Sequence, residues 1–310
     1  MPLALAVDLG GTKVEACLAD DTGALVPGSR VRRPTGPQVT SDQLRDAVAA
    51  VVTESLHALP RGHSVVGAGV GSAGPLDGVR GAVSPLNLSG SRDFPIRDIV
   101  AQTATAVVGA PVRAVLALDG MCITLAEHWL GAGRGVDSML GMIVSTGIGG
   151  GIVSVGRAVV GSTGNAGHIG QVEVAGFTDP GVHGLEATVE RIASGPNIVR
   201  WARAQGWEGA TGEDLAAGYA DGDDIAVRAV QRSAYAVGAA LASATALADL
   251  DLVVIGGGFS RVSPDYLDLV REGRDRYAAF PFMARAEIAP AALGDESPLV
   301  GAAALVLREG

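Results

Sequence analysis

Apolar residues fall in two rhythms along this chain. Short, almost wholly apolar runs at residues 3–9, 13–19, 65–71, 112–118, 139–145 and 252–255 have strand length and end near glycine or an acidic residue. Such runs predict strands buried on both faces. A further strand is predicted at 25–33. Longer mixed stretches predict helices at 41–59, capped by Ser41, near 94–102, at 119–130, over most of 186–250 and at 298–308.

The pattern starts twice. Ala6-Val7-Asp8-Leu9-Gly10-Gly11-Thr12 and Ile143-Val144-Ser145-Thr146-Gly147-Ile148-Gly149-Gly150 are both an apolar strand, a turn of threonine and glycine, and a second strand. In the second copy the glycine turn is expected at 147–151 and the returning strand at 152–155. This is an internal duplication of one unit per lobe. The expected architecture is α/β. A small lobe covers 1–115 plus the closing helix at about 296–310, and a large lobe covers 116–295.

Composition narrows the function classes. The 310 residues are 48% hydrophobic and 18% charged, which excludes a disordered chain. A net charge of -10 opposes binding to nucleic acid. No run approaches the length of a membrane span, and Met1-Pro2 leads directly into a strand, so neither a membrane partner nor a leader is expected. Cys17 and Cys122 lie in apolar stretches and read as buried free thiols, consistent with the cytoplasm. The 23 basic residues are 22 arginines and one lysine, Lys13. That lysine directly follows the first glycine turn, where a compact ammonium suits a phosphate.

The turns carry the candidate chemistry. Gly10 and Gly11 expose backbone N–H groups and let phosphate oxygens approach, Thr12 adds a hydroxyl, and Lys13 a cation. Asp8 is placed to hold Mg²⁺, directly or through water. Thr146, Gly147 and Gly149 repeat the arrangement, so two turns suit a polyphosphate and hence phosphoryl transfer. The first turn alone is also compatible with an ordinary Gly-Gly hairpin, a reading that the duplication disfavours. Asp119 stands where a strand becomes a helix, the ligand-facing end in α/β folds. It is the candidate base for a substrate hydroxyl, a role compatible with its also being a helix cap.

Together with Gly71-Ser72-Ala73-Gly74-Pro75, Leu118-Asp119-Gly120, Gly164-Asn165-Ala166-Gly167-His168-Ile169-Gly170-Gln171, Gly184-Leu185-Glu186-Ala187 and Ile255-Gly256-Gly257-Gly258, these motifs resemble the ROK family over essentially the whole chain. The resemblance implies an actin-like (ribonuclease H-like) ATPase fold, glucokinase-like, with ATP and Mg²⁺ as cofactors. It implies an ATP-dependent sugar kinase acting on a hexose or aminohexose hydroxyl, the 6-OH in particular, with Asp119 as general base. It also implies sugar contacts at Gly74, Leu118, His168, Gln171 and Glu186, nucleotide contacts at Gly256 and Gly257, and a homodimer.

The departures concern the sugar and a metal. The family usually has Asn-Asp where this chain has Leu118-Asp119, and Glu-x-x-His where it has His168-Ile169-Gly170-Gln171. That histidine normally joins three cysteines on a structural zinc, and the corresponding stretch here, 177–184, contains no cysteine. A member without the zinc site is expected, with altered sugar contacts that favour an aminosugar. His57 and His63 read as solvated, and His128 as structural. His183 lies near the lost zinc site and cannot make one alone. A second reading is a catalytically weak, sugar-binding regulatory protein. Family repressors carry a DNA-binding segment before the first glycine turn, and here that turn begins near residue 8; no nucleic-acid partner is expected.

Overall fold

The computed structural model describes residues 1–85 and 88–308. The chain opens with β1 (Pro2–Leu9), β2 (Lys13–Ala19) and β3 (Val31–Pro34), then α1 (Ser41–His57) and β4 (Ser64–Ser72). A short hairpin of β5 (Leu76–Asp77) and β6 (Ala82–Val83) follows, then α2 (Ile96–Val108), β7 (Ala114–Leu118) and α3 (Asp119–Leu130). The next elements are β8 (Met139–Val144), β9 (Ile148–Ser154), β10 (Arg157–Ala158), α4 (Val189–Ala193), α5 (Gly195–Ala204), α6 (Gly212–Ala220) and α7 (Asp224–Ala248). The last are β11 (Leu252–Gly256), α8 (Tyr266–Tyr277), β12 (Glu287–Pro290) and α9 (Ser297–Leu307).

The elements form two compact units. One comprises residues 1–134, 158–167 and those from 293 onward; the other comprises 135–157 and 168–292. Each has a five-stranded sheet, in the orders β3-β2-β1-β4-β7 and β10-β9-β8-β11-β12. In both, the strand before the glycine turn pairs antiparallel with the strand after it and parallel with a later strand, which in turn pairs parallel with the last. The duplication read from two glycine turns therefore extends to the order of the five strands and to the direction of four of them.

The first unit includes α3 and residues 158–167, which the sequence reading gave to the large lobe. The reason is packing. A Cβ on Gly301 of α9 would lie 1.6 Å from the Cys122 carbonyl oxygen of α3, and one on Gly69 of β4 would lie 1.7 Å from the Ala302 carbonyl oxygen. Only glycine at both positions lets α9 seat between β4 and α3. The Asn165 amide both donates to the Leu76 carbonyl and accepts from its N–H, at 2.8 Å each, tying residues 158–167 to the same unit. In the other unit, a Cβ on Gly238 would lie 2.3 Å from the Arg274 nitrogen, so α7 and α8 cross at backbone contact.

Local differences have local causes. The third strand is Val31–Pro34, not 25–33, because the segment before it turns at Gly28, with φ 79°, after a single bridge between Ala19 and Leu25. Thr40, not Ser41, caps α1: its hydroxyl accepts from the Gln43 N–H while the Gln43 side chain accepts from the Thr40 N–H. The second glycine turn is shorter than 147–151, since β9 already starts at Ile148.

Candidate active site

In the first unit the β1–β2 turn closes with the Gly10 N–H donating to the Lys13 carbonyl at 2.9 Å. Thr35 braces it, its N–H on the Thr12 carbonyl at 2.9 Å and its hydroxyl on the Gly10 carbonyl at 3.0 Å. Gly11 lies partly buried in this turn and Thr12 is exposed. Asp8 and Glu15 stand opposite one another across β1 and β2, Glu15 and Arg32 across β2 and β3, and Asp8 and Gly71 across β1 and β4. Directly opposed residues project from the same face. A row of Arg32, Glu15, Asp8 and Gly71 thus crosses the sheet.

Asp8 is buried, and its carboxyl is pushed up to about 7. Burial is the main cause and the charge of Asp119 the next, offset in part by Lys13. A side chain at Gly71 would intrude there, since its Cβ would sit 3.6 Å from Asp8 Oδ1 and 3.0 Å from Cys122 Sγ. Asp119 is the first residue of α3, and its Oδ1 accepts the Gly120 N–H at 2.7 Å. The N-cap position itself falls to Leu118, which makes no side-chain cap. The structure therefore brings Asp8, Lys13 and Asp119 together.

Glu15 was not singled out from the sequence. It is a buried carboxylate that accepts from Lys13, from Arg30 Nε at 2.9 Å and from Arg32 at 3.0 Å. Burial would raise this carboxyl, but the hydrogen bonds from Lys13, Arg30 and Arg32 outweigh it and hold it below its ordinary value. The available signal was a lone charge inside the apolar run of β2.

In the second unit, Ser145, Thr146 and Gly147 make the β8–β9 turn, with the Ser145 N–H on the Gly147 carbonyl at 3.0 Å and Thr146 exposed. Gly149 pairs with Ile143 inside the ladder rather than in the turn. Gly257, at φ 98°, sits against the end of β8; a Cβ there would lie 2.4 Å from the Val144 carbonyl oxygen. A Cβ on the neighbouring Gly256 would lie 3.0 Å from that of Ala291. Glu190, also not foreseen, fixes the turn from below: it accepts from the Ile148 N–H at 2.8 Å and from Gln171 Nε2 at 3.3 Å. A Cβ on Gly147 would lie 2.7 Å from its Oε2.

The remaining expected sugar contacts are placed unevenly. His168 has a buried Nδ1 without a hydrogen-bond partner, and Gln171 reaches Glu190. Glu186 is exposed and ion-paired with Arg191 at 2.8 Å, which lowers its carboxyl. Gly74 lies in the loop after β4, before the cis Gly74–Pro75 bond. Leu118 is part of the first unit's core. Among the described residues, no three or more His, Cys, Asp or Glu side chains are grouped as a metal site, and no helix is long and apolar enough to cross a membrane.

A family model described as ROK family matches residues 4–309. The chain belongs to the ROK family. An N-acetylmannosamine kinase of Yersinia pseudotuberculosis is 32% identical to it, with 96% of each chain covered. The crystal structure of a ROK hexokinase from Thermus thermophilus superposes with a TM-score of 0.82 at 34% identity, over 99% of this chain and 100% of that one. A ROK glucokinase from Streptomyces griseus, solved with glucose and AMPPNP, gives 0.78 at 30% identity over the same shares. The fold is that of the actin-like ATPases, as the motifs implied, and this ROK member is an ATP-dependent sugar kinase.

Proposed function

We propose that this kinase transfers the γ-phosphate of ATP to the 6-hydroxyl of a hexose or aminohexose, with Asp119 as the general base. The observation that carries this reading is a pair of acids at the ends of β1 and β7, Asp8 buried and Asp119 half-buried. Asp8 is held near 7 by burial and by the charge of Asp119. Two carboxylates close enough for the charge of one to raise the other suit a hard cation and a proton acceptor. Asp8 would hold Mg²⁺, with water and phosphate oxygens completing an oxygen shell. Held there, Mg²⁺ would supply charge neutralisation of the phosphates.

The chain's own groups do the rest. The Gly120 N–H fixes Oδ1 of Asp119 and so orients the carboxylate. Asp119 takes the proton of the sugar hydroxyl as the hydroxyl oxygen attacks the γ-phosphorus and the bond to the bridging oxygen breaks, releasing ADP. The first glycine turn offers the backbone N–H groups of Gly11 and Thr12 to the phosphates, with Lys13 adding charge.

The aminohexose preference rests on His168. Its buried, unpartnered Nδ1 is a polar atom whose partner must come from a ligand or water. The relatives named as N-acetylmannosamine kinases make an aminohexose the first class to test. ADP release should be followed with glucose, mannose, their 2-amino and 3-amino analogues and N-acetylmannosamine. A kcat/KM for an aminosugar above that for glucose supports the preference. Glucose ahead by about tenfold, or about 1.4 kcal/mol, overturns it, and no stimulation by any sugar overturns the whole assignment. A homodimer is the expected solution state, in keeping with the stacked, exposed Phe280 and Phe282, and sedimentation checks it.

A further inference from the structure

Two carboxylates facing one another on adjacent strands repel. Glu15 nevertheless stands opposite Asp8, and it is buried. Its two oxygens divide their work. Oε2 accepts from Arg30 Nε at 2.9 Å and from Arg32 at 3.0 Å, whereas Oε1 accepts from Lys13. The two arginines come from the edge of the sheet, Arg32 as the residue opposite Glu15. Lys13 lies two residues before Glu15 on β2, so it shares its face, one step nearer the turn. Its carbonyl closes that turn with the Gly10 N–H.

A lysine side chain on a strand end has several rotamers, and fixing it costs conformational freedom. Here that freedom is removed before any ligand arrives. An ammonium has three donors; one goes to Oε1, and the others are held beside the turn. The arginines fix the carboxylate, and the carboxylate fixes the lysine.

We propose that Glu15 is a positioning residue for phosphoryl transfer: anchored by Arg30 and Arg32 through one oxygen, it holds the Lys13 ammonium beside the Gly10–Thr12 turn, aimed at the donor phosphates. This rests on the reading of Lys13 as a donor-phosphate contact. Glu15 itself touches neither substrate, and its effect should pass through Lys13.

The test compares the wild type with Lys13→Met, Glu15→Gln, the double variant and Glu15→Asp, measuring KM for ATP, KM for the sugar and kcat. Lys13→Met and Glu15→Gln should each raise KM for ATP about tenfold, about 1.4 kcal/mol, with the sugar KM within about twofold. The double variant should be no worse than Lys13→Met alone, because coupled residues are not additive. Glu15→Asp, with its carboxylate one methylene short, should raise KM for ATP about threefold. A purely structural role would lower stability and leave this split unmoved. If Lys13→Met raises KM for ATP and a folded Glu15→Gln does not, or if the two effects add, the Glu15 proposal falls alone. If Lys13→Met leaves KM for ATP unchanged, the reading of Lys13 falls and the proposal falls with it. If Glu15→Gln does not fold, Glu15→Asp decides, and an unchanged KM for ATP there overturns the proposal.

Discussion

Glu190 accepts a hydrogen bond from the Ile148 N–H at 2.8 Å while its other oxygen accepts from Gln171 at 3.3 Å. One carboxylate thus ties the second glycine turn to the His168–Gln171 segment. Four residues earlier, Glu186 points to solvent and pairs with Arg191. Glu190→Ala should therefore lower kcat/KM by about 10²-fold, as loss of an oriented, charge-assisted contact implies. Glu186→Ala should stay within about threefold of wild type. Steady-state kinetics of the two variants check this, and the reverse order would place the sugar contact at Glu186.

Asp119→Asn keeps the side-chain shape and the acceptor for the Gly120 N–H but cannot take a proton. A general base contributes about 10²- to 10⁴-fold. kcat should fall by that factor with nucleotide affinity unchanged, as single-turnover kinetics and nucleotide titration would show. A folded variant with near-wild-type kcat would remove Asp119 from the role.

Asp8 gives a stability signature with a definite sign. Its carboxyl rises from 3.8 to about 7 on folding. The folded state therefore binds more protons than the unfolded state between those values, and stability falls as pH rises through that window. Above it, the ionised, buried Asp8 costs about 4 kcal/mol. Without nucleotide or metal, Asp8→Asn should raise Tm by several degrees at pH 8 and by little at pH 4, while abolishing activity. Melting curves at both pH values check it, and a Tm gain independent of pH would contradict the assigned cause.

Gly301 lies inside α9, where alanine ordinarily favours a helix by about 1 kcal/mol. Here a Cβ would lie 1.6 Å from the Cys122 carbonyl oxygen. Steric overlap with backbone outweighs propensity, and Gly301→Ala should destabilise by about 3 kcal/mol or more. Denaturant midpoints give the sign directly.

Side-chain contacts fasten the segment at 172–188. Glu173 bridges to Thr188 and accepts the Gly184 N–H at 2.5 Å. Phe177 stacks on Tyr277 at 6.0 Å and carries Arg232 over its ring. Arg232 also donates to the Phe177 carbonyl. Metal analysis of untagged protein should find far less than one zinc per chain, and chelation should leave Tm unchanged. About one tightly held zinc would refute this, since a closed site needs about four ligands.

The sequence by itself determined the strands, the two glycine turns and their duplication, and the candidacy of Asp8, Lys13 and Asp119. These depend on local rules: apolar runs of strand length, glycine where a backbone must approach phosphate, and an acid at a strand end. The tertiary structure alone decided which acids stand around them. Glu15 owes its place to strand register, which sets it opposite Asp8 and Arg32. Glu190 rather than the neighbouring Glu186 meets the glycine turn because α4 packs beneath β9. Leu118 packs into the first unit's core. Thr40 displaced Ser41 as a cap because reciprocal bonding needs Gln43 three residues on. Register and packing join residues far apart in the chain, and no local pattern of apolar and polar positions encodes which of two nearby carboxylates will be the buried one.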